Sequence, residues 1–168
     1  KTESSSISSE GGIEMMKQDP KLDMVENHMK PGEISSTGFL GDDKRKLVDI
    51  LLDDGQAVTA LQLNHQILAN RMEELSEKGR KGFGNPILVD EFLEVTVEDS
   101  RGTIACPFRH MGMYPKENVT VVNRKTGERV FWTALNIHMI REHGFYEGKG
   151  SPFRVEPLDL IRVLEIAG

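Results

Sequence analysis

The only cysteine and three of the five histidines of this 168-residue chain lie between Ile104 and Phe145. Three residues separate Cys106 from His110, and four separate His138 from His143. A tetrahedral zinc ion takes four nitrogen or sulfur ligands, and short-spaced pairs supply them economically because one local turn holds each pair. If both pairs serve one ion, the chain around Cys106 must be brought against the segment that carries the two histidines. Few folds satisfy that condition. On a regular helix an offset of five residues turns side chains about 140° apart, so His138 and His143 can face one point only if the helix ends between or at them. Gly144, suited to a left-handed helix end, supplies that stop.

The residues around Cys106, Cys-Pro-x-x-His-x-Gly, resemble a zinc knuckle, with one cysteine in place of two and Met111 between His110 and Gly112. The histidine pair after a hairpin resembles fingers of the two-strand, one-helix type, here over residues 104 to 145 and with a longer intervening loop. Both resemblances imply a structural zinc bound by Cys106, His110, His138 and His143. Each residue also has a reading without metal: Cys106 as a small buried hydrophobe, His143 as a cation at a helix C-terminus, His138 in a core hydrogen bond and His110 on an exposed loop.

The apolar pattern changes period along the chain. Residues 1–41 begin with a serine-rich run and lack sustained periodicity, which predicts a polar, flexible tail. Met15, Met16, Leu22, Met24, Val25 and Met29 could instead form a short docking segment. From Asp42 to Arg80, apolar residues recur at steps of three and four, predicting a helical hairpin. Asp42 and Asp43 mark its start, Gly55 its break, and Thr59 with Gln62 a capping box for the second helix. His65 within that stripe reads as a packed core residue with one hydrogen bond.

Beyond residue 81 the period shortens to two. Leu93, Val95 and Val97 alternate with polar residues, Ser100–Gly102 reads as a hairpin turn, and Thr103–Cys106 as the returning strand. Strands at Asn118–Val122 and Arg129–Trp132 flank a loop closed by Gly127. Thr133 caps a helix ending at His143, and Pro157 starts a last helix with Leu158, Ile161 and Leu164 inward. The fold class is therefore α+β: a helical hairpin at 42–80, then a small antiparallel sheet of about four strands with a crossing helix and a short C-terminal helix at 81–168. Residues 42–168 form one compact domain.

Net charge is −6, divided as −9 over residues 1–100 and +3 over residues 101–168. Such a balance disfavours a whole-surface affinity for nucleic acid or anionic lipid. One cysteine permits no internal disulfide, and no apolar run reaches the roughly 18 residues of a spanning helix, so a cytoplasmic protein is expected. The stripe from Val58 to Leu75 and the methionine-rich tail offer surfaces for a protein partner or a homo-oligomer.

The residues favour a small cytoplasmic protein whose zinc serves interaction or regulation. A metal-dependent hydrolase or nuclease would need an open coordination position, where bound water becomes a nucleophile. The sequence from His138 to His143 misses the inverted metalloprotease pattern by one residue. A third reading takes the loop from Phe145 to Arg154 as a single-stranded nucleic-acid or anion binder, through Lys149 and Arg154 beside aromatic residues.

Overall fold

A computed structural model describes residues 18–109 and 111–168. Among these, five helices and four strands follow in the order α1 (Pro20–His28), α2 (Leu47–Thr59), α3 (His65–Arg80), β1 (Ile87–Val89), β2 (Leu93–Ala105), β3 (Met113–Asn123), β4 (Arg129–Thr133), α4 (Ala134–His143) and α5 (Pro157–Leu164). The α+β class expected from the change of period is the class observed.

The sheet is antiparallel throughout, with strand order β1-β2-β3-β4. Val95 pairs with Val121 and Val97 with Val119, while Val119 and Val121 face Trp132 and Val130 on the other side. Alternation thus puts one valine-rich face inward, against α3 and α5. Trp132 is fully buried there, and its Nε1 donates to Ser76 Oγ of α3 at 3.0 Å. Without that acceptor the indole N–H would be buried unsatisfied.

Four strands were expected and four are present, but they are not the same four. Ser100–Gly102 is no hairpin turn: β2 runs through it as one strand, with a register shift between Asp99 and Thr103. The long partner β3 pairs on both sides of that irregularity, which lets the strand bend without folding back. The partner on the far edge is β1, too short to show alternation, joined to β2 by a turn with positive φ at Asp90 and Glu91.

The helical hairpin is also shifted. Gly55 lies inside α2, and the break comes after Thr59, where Gln62 adopts φ +61°. Asn64, not Thr59, caps α3 by accepting from the Ile67 amide at 2.8 Å. Asp42 and Asp43 precede α2 without capping it. Its first amides are met from a distance, Leu47 N–H by Glu26 Oε1 and Val48 N–H by Gln18 Oε1. A carboxylate and an amide oxygen at a helix N-terminus satisfy donors that have no partner within the helix.

Those two caps come from the segment expected to be a polar tail, whose residues 18–41 hold a helix and contacts to the core. Asp19 and Pro20 start α1, and Met29 and Phe39 are buried in a second core cluster with Leu47, Ile50, Cys106, Leu135, Met139 and Phe145. Residues 1–17, with Met15 and Met16, lie outside the described residues. The segment at 39–43 then crosses the loop at 148–151 in close contact. Gly148 N–H donates to Phe39 O at 2.9 Å and Lys149 N–H to Asp43 Oδ2 at 3.0 Å. A Cβ at Gly148 would collide with the Leu40 carbonyl, and one at Gly41 with the backbone of Gly150 and Ser151.

Helix α4 stands between the two cores. Ile137 and Ile140 join the cluster beneath the sheet, Leu135 and Met139 the second one. Its N-terminus carries a capping box in which Thr133 and Asn136 exchange hydrogen bonds, and its C-terminus stops at Gly144 with φ +62°. In α5 the inward residues are Leu160, Ile161, Val163 and Leu164, whereas Leu158 is 45% exposed, correcting its expected inward position.

Candidate metal centre

Strand β2 ends at Ala105, and Cys106 opens a tight turn. Pro107 fits the second position of that turn, and Arg109 N–H donates to Cys106 O at 3.0 Å to close it. The cysteine side chain is buried, and its sulfur accepts from Phe108 N–H at 3.4 Å. The turn aims Sγ at the end of α4. One ligand atom from each of Cys106, His138 and His143 can be chosen so that all three lie within 4.8 Å of one another. His110, the fourth expected donor, lies outside the described residues.

The two histidines meet because α4 ends where the five-residue offset requires. His143 is the last helical residue, and its ring centroid lies 5.3 Å from that of His138 with planes at 78°. Gly144 is required there twice over. Its φ is left-handed, and a Cβ would stand 2.7 Å from His65 Nε2. Half-buried His65 in turn shares a hydrogen bond with Tyr146 Oη through Nδ1 at 2.8 Å. Burial holds its pKa below the ordinary value, against the pull of Asp54.

Aromatic side chains fix both rings. Phe108 stacks on His143 at 3.9 Å with planes 4° apart, and packs edge-on against Phe145 at 5.7 Å. Tyr114 of β3 stacks on His138 at 4.4 Å, and its hydroxyl lies 2.9 Å from His138 Nδ1. With Nδ1 engaged by oxygen, a metal would use Nε2. A ligand histidine whose second nitrogen bonds an oxygen is the usual arrangement around zinc. Burial raises the Tyr114 pKa, and Cys106 and Glu142 add to the effect, so its hydroxyl keeps its proton at neutral pH.

A thiolate and two imidazoles match the borderline character of zinc. Metal–ligand bonds of about 2.0–2.3 Å imply ligand separations near 3.5 Å, so closure onto an ion asks for side-chain movements on the order of 1 Å. Phe108 and Tyr114 were not among the expected site residues. Phe108 falls within the Cys-Pro-x-x-His stretch, but nothing in the alternation of β3 distinguishes Tyr114 from any half-buried strand tyrosine.

The second expected site does not assemble. The Arg154 side chain is buried, with its guanidinium donating to both oxygens of Asp54 at 2.9 Å, to Glu156 and to the Glu147 carbonyl. Its side chain is 7% exposed, so no surface is left to meet an anion. Burial opposes the charge, but the hydrogen bonds that Arg154 donates to Asp54 and Glu156 outweigh it and raise the Arg154 pKa. Lys149 is exposed, and its backbone amide is the group engaged, by Asp43. Both residues serve the crossing of chain segments instead of forming one basic patch.

Comparison with protein families, characterised proteins and solved structures finds no match to this chain.

Proposed function

We propose that Cys106, His138 and His143 bind a zinc ion that joins the end of β2 to the last turn of α4, and that the protein is a small interaction or regulatory module whose shape depends on that ion. The observation that carries this reading is the convergence of the three donor side chains within 4.8 Å. The hydroxyl of Tyr114 beside His138 Nδ1 adds the outer contact that a ligand histidine calls for. His110, four residues after Cys106, is the candidate fourth ligand. A thiolate ligand suits a reducing compartment, which makes the cytoplasm the proposed location. No helix among the described residues is long and apolar enough to cross a membrane.

The test is elemental analysis of protein purified without chelators, together with Cys106→Ser, His138→Ala and His110→Ala. One zinc per chain, lost in the first two variants and held more weakly in the third, is the expected result. Removing the ion should also lower the melting temperature, because a metal that binds only the folded state stabilises it by mass action. Metal-free protein of unchanged stability would overturn the proposal. So would copper in place of zinc, since two imidazoles and a thiolate also suit copper redox sites.

A hydrolytic reading draws on one further observation. His138, Tyr114 and exposed Glu142 line a common cavity of about 250 Å³. If three protein ligands leave water on the ion, Glu142 is the carboxylate placed to act as base. Full zinc retention in His110→Ala, with ester hydrolysis lost in Glu142→Gln, would favour this reading over the first.

A further inference from the structure

Glu147 is a buried carboxylate with no part in the metal centre. Its backbone adopts φ +72°, a conformation that costs a non-glycine residue on the order of 1 kcal/mol and that tends to persist where function holds it. The turn carries the side chain inward, leaving the residue 3% exposed. Oε1 accepts from Ser151 Oγ at 2.6 Å and Oε2 from Asn136 Nδ2 at 3.2 Å. Both donors are neutral. The nearby guanidinium of Arg154 is turned to Asp54, to Glu156 and to the Glu147 backbone carbonyl.

A carboxylate offers about four acceptor positions; hydrogen bonds to two neutral groups leave Glu147 without a direct ion pair, and the Arg154 guanidinium compensates its charge only in part. Buried charges are ordinarily paired. Glu147 lines a cleft of about 580 Å³ between the segment at 34–39, the irregular part of β2 and the start of β3. Phe39, Ile104, Leu135 and Phe153 provide apolar wall, and Thr133 and Asn118 add polar groups. Lys116, which is exposed, is the one cation among the described lining residues. Burial pushes the Glu147 carboxyl up to about 7, against the lowering effects of Ser151, Asn136 and Arg154.

Apolar walls around a buried carboxylate are how a protein selects a small cationic ligand. We propose that this cleft binds a small organic amine, whose ammonium group donates to the Glu147 carboxylate while its hydrocarbon body lies against Phe39, Leu135 and Phe153. The charge-assisted bond supplies selectivity for the cation, and the apolar walls supply affinity. Binding draws the carboxyl proton off, because only the ionised form accepts from an ammonium. Affinity therefore rises as pH passes about 7, with Arg154, whose charge acts on Glu147, and Lys116, which lines the same cleft, unchanged across that range.

The experiment is an NMR titration of the full chain, as purified, with 2-phenylethylamine, and with 2-phenylethanol as its neutral counterpart. The amine should give saturable amide shifts at Asn118, Thr133 and Phe153, with affinity at least about tenfold above that of the alcohol. Glu147→Gln should weaken the amine about tenfold and leave the alcohol unaffected. Thr37→Trp, at an exposed position on the cleft, should block both ligands without lowering the melting temperature. Equal binding of amine and alcohol, absence of saturable binding, or amine binding that survives Thr37→Trp would each overturn the proposal. Because the second variant leaves the buried network intact, the result does not depend on how well Glu147→Gln folds.

Discussion

A single oxygen atom on Tyr114 separates two accounts of His138. If the ring is a metal ligand, the hydroxyl beside Nδ1 fixes its tautomer, and Tyr114→Phe should lower zinc affinity about tenfold while the stacked ring and the fold remain. Competition with a chromogenic chelator measures this, and unchanged affinity would deny the hydroxyl that role. Gly144 poses a sharper steric test. Gly144→Ala places a methyl group at left-handed φ and within 2.7 Å of His65 Nε2, displacing a ring that bonds Tyr146. A loss of at least about 1 kcal/mol in urea unfolding is expected, with zinc affinity also reduced because the turn at His143 must shift.

Among the elements, the loop after α4 is tied to α2 by the Arg154–Asp54 pair, both side chains less than 10% exposed. Removing one partner strands the other charge in the interior, so Arg154→Ala should cost about 3–5 kcal/mol. Replacing both residues by apolar ones should restore much of that loss, which differential melting of the single and double variants would show. This pair illustrates what the sequence could not disclose. Arg154 beside Lys149 in a glycine-rich loop reads as a cationic patch, because nothing local announces that Asp54, a hundred residues earlier, turns inward to meet it. Local signals were legible where physics is local: the Thr133 cap, the Gly144 stop, the alternation of β2 and β3, the turn closed by Gly127. Features that depend on tertiary context were not. The strand β1 is too short for periodicity, the Ser100–Gly102 turn is overridden by the length of β3, and α2 takes its caps from Gln18 and Glu26 in a segment that composition marks as a tail. At the site, spacing pointed to Cys106, His138 and His143, whereas Tyr114 could be found only through the sheet.

For the whole molecule, stability should depend on pH through Glu147. Its folded pKa, raised from 4.5 to about 7, exceeds the unfolded value, so the folded state binds more protons between those limits and loses stability as pH rises through them. A shift of that size corresponds to about 3 kcal/mol at most. His65 works in the opposite direction: its lowered pKa makes acidification below its ordinary value of 6.5 destabilising. Comparing Glu147→Gln with the parent chain from acid to mildly alkaline pH isolates the first effect. The variant should gain relative stability as pH rises across that window, and a flat difference would contradict the assignment.

The crossing of residues 39–43 over the loop at 148–151 joins parts of the chain 106 positions apart, as in the bond from the Lys149 amide to Asp43. Closing so long a loop adds little to the entropic cost of a shorter one, yet contacts of such separation slow folding. During synthesis the arm that carries Met29 and Phe39 leaves the ribosome long before Gly148 exists to receive it. Two residues that end buried are then exposed on a growing chain, open to chaperones and to aggregation until they are covered.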